Sequence, residues 1–180
     1  LPAVALLLEG EGQSASDIDG FACTLGPGSF TGLRVGISTV QGLALGAGRP
    51  CLGLPALDVL AARIAESAPF LVAAMDAYRD QVFTRLYDSL AHPQGEAVVL
   101  GKDAFLDWLP EDVALLGDGA VRYEDAIRTR KPGCRFPRRS LFLAGTLARM
   151  AAPRFAAGEG VPPSSLIPLY MREADVRRHP

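Results

Sequence analysis

The chain has 180 residues, of which 49% are hydrophobic and 21% are charged, and its formal net charge is −2. This length suits one large domain or two small ones, with a core that needs no disulfide or metal. The near-neutral charge excludes a generally basic nucleic-acid-binding protein but leaves local basic patches open. Glycine, proline or a charge interrupts every long apolar stretch, so the sequence predicts no membrane-spanning segment and no membrane partner.

Residues that carry covalent or metal chemistry are scarce. The three cysteines, Cys23, Cys51 and Cys134, are far apart and form no CxxC pair. This pattern argues against a disulfide framework or structural zinc, and it favours a reducing, cytoplasmic setting. His92 is typical of a surface loop and His179 of a frayed terminus. We therefore expect no catalytic residue and no metal site in this chain.

The first part of the sequence predicts an α/β unit with some parallel strand pairing. In chain order, it predicts a helix at Leu1–Glu9, a strand at 21–25, a helix at 31–47, a strand at 51–54 and a helix at 55–65. The helix at 31–47 is predicted to end at Gly48, because a glycine C-cap with a proline shortly after it, here Pro50, is typical of a helix C-terminus. Because the chain starts at Leu1 without a methionine or a basic leader, we expect it to begin partway into a longer protein.

The remaining sequence predicts a second group of strands and then a long helix. It predicts strands at 70–75, 81–87, 97–100 and 113–116, a helix at 104–109, a helix at 141–157 and an extended tail at 161–168. Ser140 is expected to cap the long helix. The tail motif, Tyr170 to Arg172, is expected to end the ordered part of the chain.

A glycine-rich turn joins the first predicted strand to the helix that follows it. Residues 26–32 read Gly-Pro-Gly-Ser-Phe-Thr-Gly, and a strand that leads through such a turn into a helix N-terminus suits an anion. However, no lysine precedes the Ser or Thr as in a Walker A loop, and the glycine spacing differs from the dinucleotide-binding motif. Two interpretations stay open here: a phosphate-binding loop, or a tight turn in which Gly26 and Gly28 supply unusual backbone angles.

The helix after this turn contains glycines four residues apart. Gly32 and Gly36 form one pair, and Gly42 and Gly46 form another, so each pair exposes bare backbone on one face. Each glycine destabilises a helix by about 0.5–1 kcal/mol relative to alanine. That cost is reasonable if something packs close to the backbone, either from the same domain or from a helix of a partner chain.

Residues 26–34 and their continuation to Gly46 resemble the hallmark block of the bacterial TsaB (YeaZ) family. Further matches are spread along the chain, at 16–19, 50–57, 76–77, 116–119 and 168–172. The resemblance implies an α/β protein with the actin-like ATPase (ribonuclease H-like) fold and two lobes. It implies a first lobe at 1–69, a second lobe at 70–140, and a C-terminal helix and tail at 141–180 that return to the first lobe. The β-hairpin with which the family begins is absent from this sequence, so the first lobe is expected to be truncated at its N-terminus.

The resemblance also implies a function. Members of this family are non-catalytic partner or scaffold subunits required for threonylcarbamoylation of adenosine 37 in tRNAs that read codons beginning with A. The implied partners are a TsaD-like catalytic paralogue, a TsaE-like small ATPase, and tRNA bound through the complex. The family's helix face could also self-pair, so whether the chain alone forms a homodimer stays open. No cofactor is expected in this subunit, ATP is expected only at the level of the complex, and no activity is expected from the chain alone.

The family pairs with its partner through helices of the first lobe, which here are 1–9 and 31–47. The interface residues that follow from this are Gly28, Ser29, Phe30, Thr31, Gly32, Arg34, Val35, Gly36, Thr39, Gly42, Leu43 and Gly46.

Two alternative functions are open at this stage. One is a nucleotide-binding ATPase of the actin-like fold, which would rest on the turn at 26–32. The other is a glycoprotease-like peptidase, the older description of the catalytic paralogue. That paralogue carries a metal-binding histidine pair on the helix after the second strand, but residues 53–63 here contain no histidine. The sequence therefore disfavours the peptidase.

A basic stretch at 122–139 contains seven Lys or Arg residues against two Asp or Glu, with Tyr123 and Phe136 among them. Such a stretch can contact an RNA backbone, although charge runs are also common on solvated faces. The residues that we expect to contact tRNA, if this stretch does so, are Arg130, Lys131, Arg135, Arg138 and Arg139.

Overall fold

The computed structural model describes residues 2–171, so Leu1, Arg172 and His179, together with the rest of 172–180, lie outside the described residues. The helices of the described part are α1 (Pro2–Gly10), α2 (Phe30–Ala47), α3 (Ala56–Ala62), α4 (Lys102–Trp108), α5 (Asp118–Arg122), α6 (Glu124–Arg130) and α7 (Ala144–Ala156). The strands are β1 (Phe21–Gly26), β2 (Cys51–Pro55), β3 (Phe70–Asp76), β4 (Gln81–Asp88), β5 (Val98–Gly101) and β6 (Ala114–Leu116).

The first sheet is a parallel pair, β1 and β2, connected by α2. Ser29 caps α2, because its hydroxyl oxygen accepts a hydrogen bond from the Gly32 amide at 3.3 Å. The helix ends at Gly48, whose φ of 63° is the left-handed conformation that favours glycine. Ile37 and Ala44 of α2 pack on the sheet beside Cys23 and Cys51. The predicted parallel α/β unit is therefore confirmed.

The second sheet has four strands in the order β5-β4-β3-β6. The strands β3 and β4 form an antiparallel hairpin, and β6 runs parallel to β3. One face of this sheet packs on α4 and α6, where Val72, Phe105 and Ile127 are fully buried.

Helix α3 lies between the two sheets and contacts both β1 and β3. Its Asp58 accepts a hydrogen bond from the hydroxyl of Tyr87 at 2.8 Å and one from Arg85 at 3.2 Å. Burial, and to a smaller extent the nearby Asp58 carboxylate, raises the pKa of Tyr87, so the hydroxyl stays a neutral donor. This polar contact fixes α3 against β4.

The C-terminal part of the described chain packs on the first sheet. Helix α7 contacts β1, β2 and α3. The backbones of Val161 and Cys51 are hydrogen-bonded, and the Gln41 amide donates to the carbonyls of Pro163 and Leu166. The Leu169 amide then donates to a carbonyl of β1 at 2.7 Å.

Several predicted boundaries were wrong. Helix α3 ends at Ala62 and not at Ala65, because turns replace it there. Helix α7 begins at Ala144 and not at 141, and no side chain caps it. Ser140 instead accepts a hydrogen bond from the Phe142 amide at 3.1 Å, which stabilises a turn before the helix. Helices α5 and α6 were not predicted. In the part of the chain described, no helix is long and apolar enough to cross a membrane.

Candidate interaction surface

The glycine-rich turn before α2 is tight and in close contact with the tail. Gly26 has a φ of 121°, and a Cβ placed there would lie 2.6 Å from the Leu169 carbonyl oxygen. Gly28 has no such constraint, since its Cβ would make only ordinary contacts with Leu33, the nearest at 3.7 Å. The tight-turn interpretation therefore accounts for Gly26, but not for Gly28.

Packing within the described chain does not explain the glycines of α2. A Cβ placed at Gly36, Gly42 or Gly46 would have no described atom within 4 Å beyond the local helix backbone. At Gly32 it would meet only the side chain of Ser29, at 3.4 Å. Gly36, Gly42 and Gly46, here called the glycine face, are exposed, whereas Ile37 and Ala44 form the side of α2 that packs on the sheet. The bare backbone of the glycine face is therefore open to a partner.

All of the predicted interface residues lie on α2 or immediately before it, and none is buried. At 100° per residue, Val35, Thr39, Gly42 and Gly46 form one stripe along the helix. Val35 is 61% exposed, and the Thr39 hydroxyl donates back to the Val35 carbonyl at 2.8 Å, which leaves little polar surface on this stripe. A second helix could pack closely along such a face.

Helix α1 adds apolar surface beside α2. It is Pro-Ala-Val-Ala-Leu-Leu-Leu-Glu-Gly in sequence, and no residue of it is buried. Leu6 and Leu7 are each 69% exposed. An open groove of about 460 Å³ lies between α1 and Leu43 of α2. Exposed apolar helices of this kind mark protein interaction sites.

An aromatic and cationic cluster lies at the N-terminal end of α2. The Arg34 guanidinium lies 4.0 Å from the centroid of the Phe30 ring, and its Nε donates to the Tyr170 hydroxyl at 3.0 Å. The rings of Phe30 and Tyr170 stack at 5.1 Å. Sequence reasoning did not place Tyr170 at this surface, and the match of the tail motif at 168–172 was the only signal for it.

The basic stretch is largely neutralised by ion pairs. Arg130 contacts two carboxylates of α4, Lys131 contacts Glu111 at 2.6 Å, and Arg135 contacts Asp112 at 2.8 Å. Arg138 and Arg139 are exposed and form no ion pair with a described residue. The structure thus separates these two arginines from the other predicted RNA contacts, whose role stays a prediction.

The cysteines are free and buried. Burial, with a smaller contribution from the neighbouring Cys51, raises the pKa of Cys23 to about 11. Such thiols are poor nucleophiles near neutral pH. Within residues 2–171, no group of three or more His, Cys, Asp or Glu side chains is arranged to hold a metal ion.

Comparison with known proteins gives consistent results. The family model described as "TsaD: tRNA N6-adenosine threonylcarbamoyltransferase" matches residues 1–116. The chain is 31% identical to the tRNA threonylcarbamoyladenosine biosynthesis protein TsaB of Escherichia coli, over 96% of this chain and 78% of that protein. It is 32% identical to the tRNA N6-adenosine threonylcarbamoyltransferase of Maricaulis maris, but spans only 40% of it. The solved structure of YeaZ from Pseudomonas aeruginosa superposes with a TM-score of 0.77 at 32% identity, covering 93% of this chain and 82% of that one.

Proposed function

The chain belongs to the TsaB (YeaZ) family and has its actin-like ATPase fold, and from this premise we propose that it is a non-catalytic subunit for threonylcarbamoyladenosine biosynthesis in tRNA. The observation that carries the proposal is the glycine face of α2, which nothing in the described chain covers. A subunit that acts by binding a partner needs such a face, whereas an independent enzyme does not.

The proposed partner is a TsaD-type catalytic paralogue, bound along α1 and α2. Glycines at 36, 42 and 46 allow a helix of the partner to approach the backbone closely. The exposed leucines of α1 would supply the apolar contact area beside it. The same surface is self-complementary in composition, so a homodimer of this chain is proposed for the protein without its partner. A TsaE-type small ATPase, ATP and tRNA are proposed to join at the level of the complex.

The function is tested by reconstitution with a TsaD-type partner. We expect the two chains to co-elute in size-exclusion chromatography. In the presence of a threonylcarbamoyl donor and a TsaE-type ATPase, tRNA should gain threonylcarbamoyladenosine only when both chains are present, as measured by mass spectrometry of digested nucleosides. Equal modification by the partner alone would contradict a required subunit.

Tyr170 is predicted to support the partner-binding surface from the tail. Tyr170→Ala removes the stacking on Phe30 and the hydrogen bond to Arg34. We expect partner affinity to fall about tenfold, since aromatic and arginine side chains dominate interface energies. Isothermal titration calorimetry with the partner measures this. Tyr78→Ala is the matched control, because Tyr78 is 64% exposed and lies in the turn between β3 and β4 of the second sheet. An equal loss in both variants would contradict a specific role of Tyr170.

A further inference from the structure

Two arginine side chains converge on one hydroxyl at the start of α7. Arg63, which follows α3, donates from Nη1 to the Thr146 hydroxyl oxygen at 3.2 Å and from Nε to the Ser140 carbonyl. Arg149 donates from Nη2 to the same Thr146 oxygen at 3.1 Å. Thr146 is only 3% exposed, so two guanidinium groups are held side by side against one buried oxygen.

These arginines have no acidic partner among the described residues. Neither Arg63 nor Arg149 forms an ion pair there. Arg138 and Arg139 are also without one, and they directly precede Ser140, whose carbonyl Arg63 contacts. Adjacent like charges repel each other, and an anion bound between them would relieve this repulsion.

An exposed aromatic residue follows Arg138 and Arg139 closely in the chain. Phe142 is 88% exposed, and its amide hydrogen bond to Ser140 fixes the turn that carries it. Leu141 beside it is 44% exposed. Proteins that bind single-stranded RNA combine arginine contacts to phosphates with aromatic rings on which bases stack. The turn places both kinds of group within a few residues of each other.

We propose that the arginine cluster, defined as Arg63, Arg138, Arg139 and Arg149, binds phosphates of a single-stranded segment of tRNA and that a base of this segment stacks on Phe142. The proposal rests on the proposed function, which makes tRNA the substrate of the complex. Arginine suits this role because its planar guanidinium group can bind two phosphate oxygens at once. The positive end of the α7 dipole, which no side chain caps, adds to the attraction of the cluster for phosphate.

The test measures binding of unmodified tRNA by fluorescence anisotropy over a series of salt concentrations. It is carried out both with the full chain alone and with its assembly with the TsaD-type partner. We expect Arg149→Gln and Phe142→Ala each to weaken binding about tenfold. We also expect Arg149→Gln to lower the slope of log affinity against log salt by about one.

Matched controls come from the same part of the chain. Arg154→Gln removes the same charge from α7, but Arg154 is ion-paired with Glu159 at 2.6 Å. Ile167→Ala removes another exposed apolar side chain, since Ile167 is 70% exposed. Both controls should bind tRNA as the unchanged protein does.

The outcomes separate this proposal from the proposed function. If the chain and its partner fail to assemble, the proposed function is wrong, while tRNA binding by the chain alone still decides the role of the cluster. Unchanged tRNA affinity for Arg149→Gln and Phe142→Ala overturns the proposal. A loss of ATP binding with unchanged tRNA binding in these variants also overturns the proposal, because the cluster would then bind the phosphates of a free nucleotide. A loss confined to partner binding in Phe142→Ala would make Phe142 a protein contact and overturns the proposal as well.

Discussion

Replacing Gly36 with leucine is expected to weaken the complex with the TsaD-type partner at least a hundredfold while leaving the free chain folded. A Cβ placed at this exposed position meets no described atom of its own chain within 4 Å beyond the local helix backbone, so we expect a leucine there to extend into the space proposed for the partner helix. Helices that pack through small residues lose their contacts when a bulky side chain separates their axes. Leucine also favours a helix over glycine by about 0.5–1 kcal/mol, so the melting temperature of the free chain should not fall.

The matched control for this variant is Gly145→Leu. Gly145 is exposed on α7, where an added Cβ would meet only the side chain of Arg149, at 3.7 Å. This control replaces a helical glycine with the same apolar bulk, but outside α1 and α2. Pull-down with the tagged partner and differential scanning fluorimetry of the free chain give the two readouts. Retention of the complex by Gly36→Leu would show that the glycine face is not the binding surface.

The local pattern of apolar, turn and helix-capping residues in the sequence was sufficient to predict most of the fold. The runs at 21–25 and 70–75 are apolar and bounded by turn residues, and the structure forms strands at both. The C-cap at Gly48 was predicted because the chemistry of helix ends is local. Helix α6 was missed because its charged sequence carries a weak apolar pattern, and only Ile127 of it is buried. The start of α7 was placed three residues early, because Leu141 and Phe142 are apolar in sequence yet exposed in the structure.

The candidate site could be predicted only where one helix carries it. The glycine spacing of α2 is visible in the sequence, since residues four apart share a face. By contrast, the contact between Arg34 and Tyr170 joins residues 136 positions apart, which no local pattern can show. The same limit applies to the basic stretch, whose local charge looked unpaired. The carboxylates that neutralise Arg130 and Arg135 come from segments 23 to 27 residues earlier in the chain.

Gly117→Ala is expected to lower the free energy of unfolding by about 4 kcal/mol, which makes it the substitution with the largest expected effect on stability. Gly117 joins β6 to α5 with φ 128° and ψ 165°, a conformation essentially restricted to glycine. A Cβ there would lie 1.9 Å from the carbonyl oxygen of Ala74, in the middle of β3. Because Ala74 is fully buried in the second sheet, its backbone cannot move aside without disturbing the strand.

The expected fall in melting temperature is about 8–16 °C, given about 2–4 °C per kcal/mol for a protein of this size. Differential scanning calorimetry measures it. Gly95→Ala is the control, since Gly95 has a φ of 104° but open space around its Cβ, so it carries the backbone strain without the clash. A fall in Gly117→Ala no larger than in Gly95→Ala would contradict the clash with Ala74. The clash gives a physical reason for Gly117 in the motif at 116–119, to which the resemblance alone assigned no role. Because it lacks a Cβ, Gly117 lets the chain turn from β6 into α5 close against the backbone of β3.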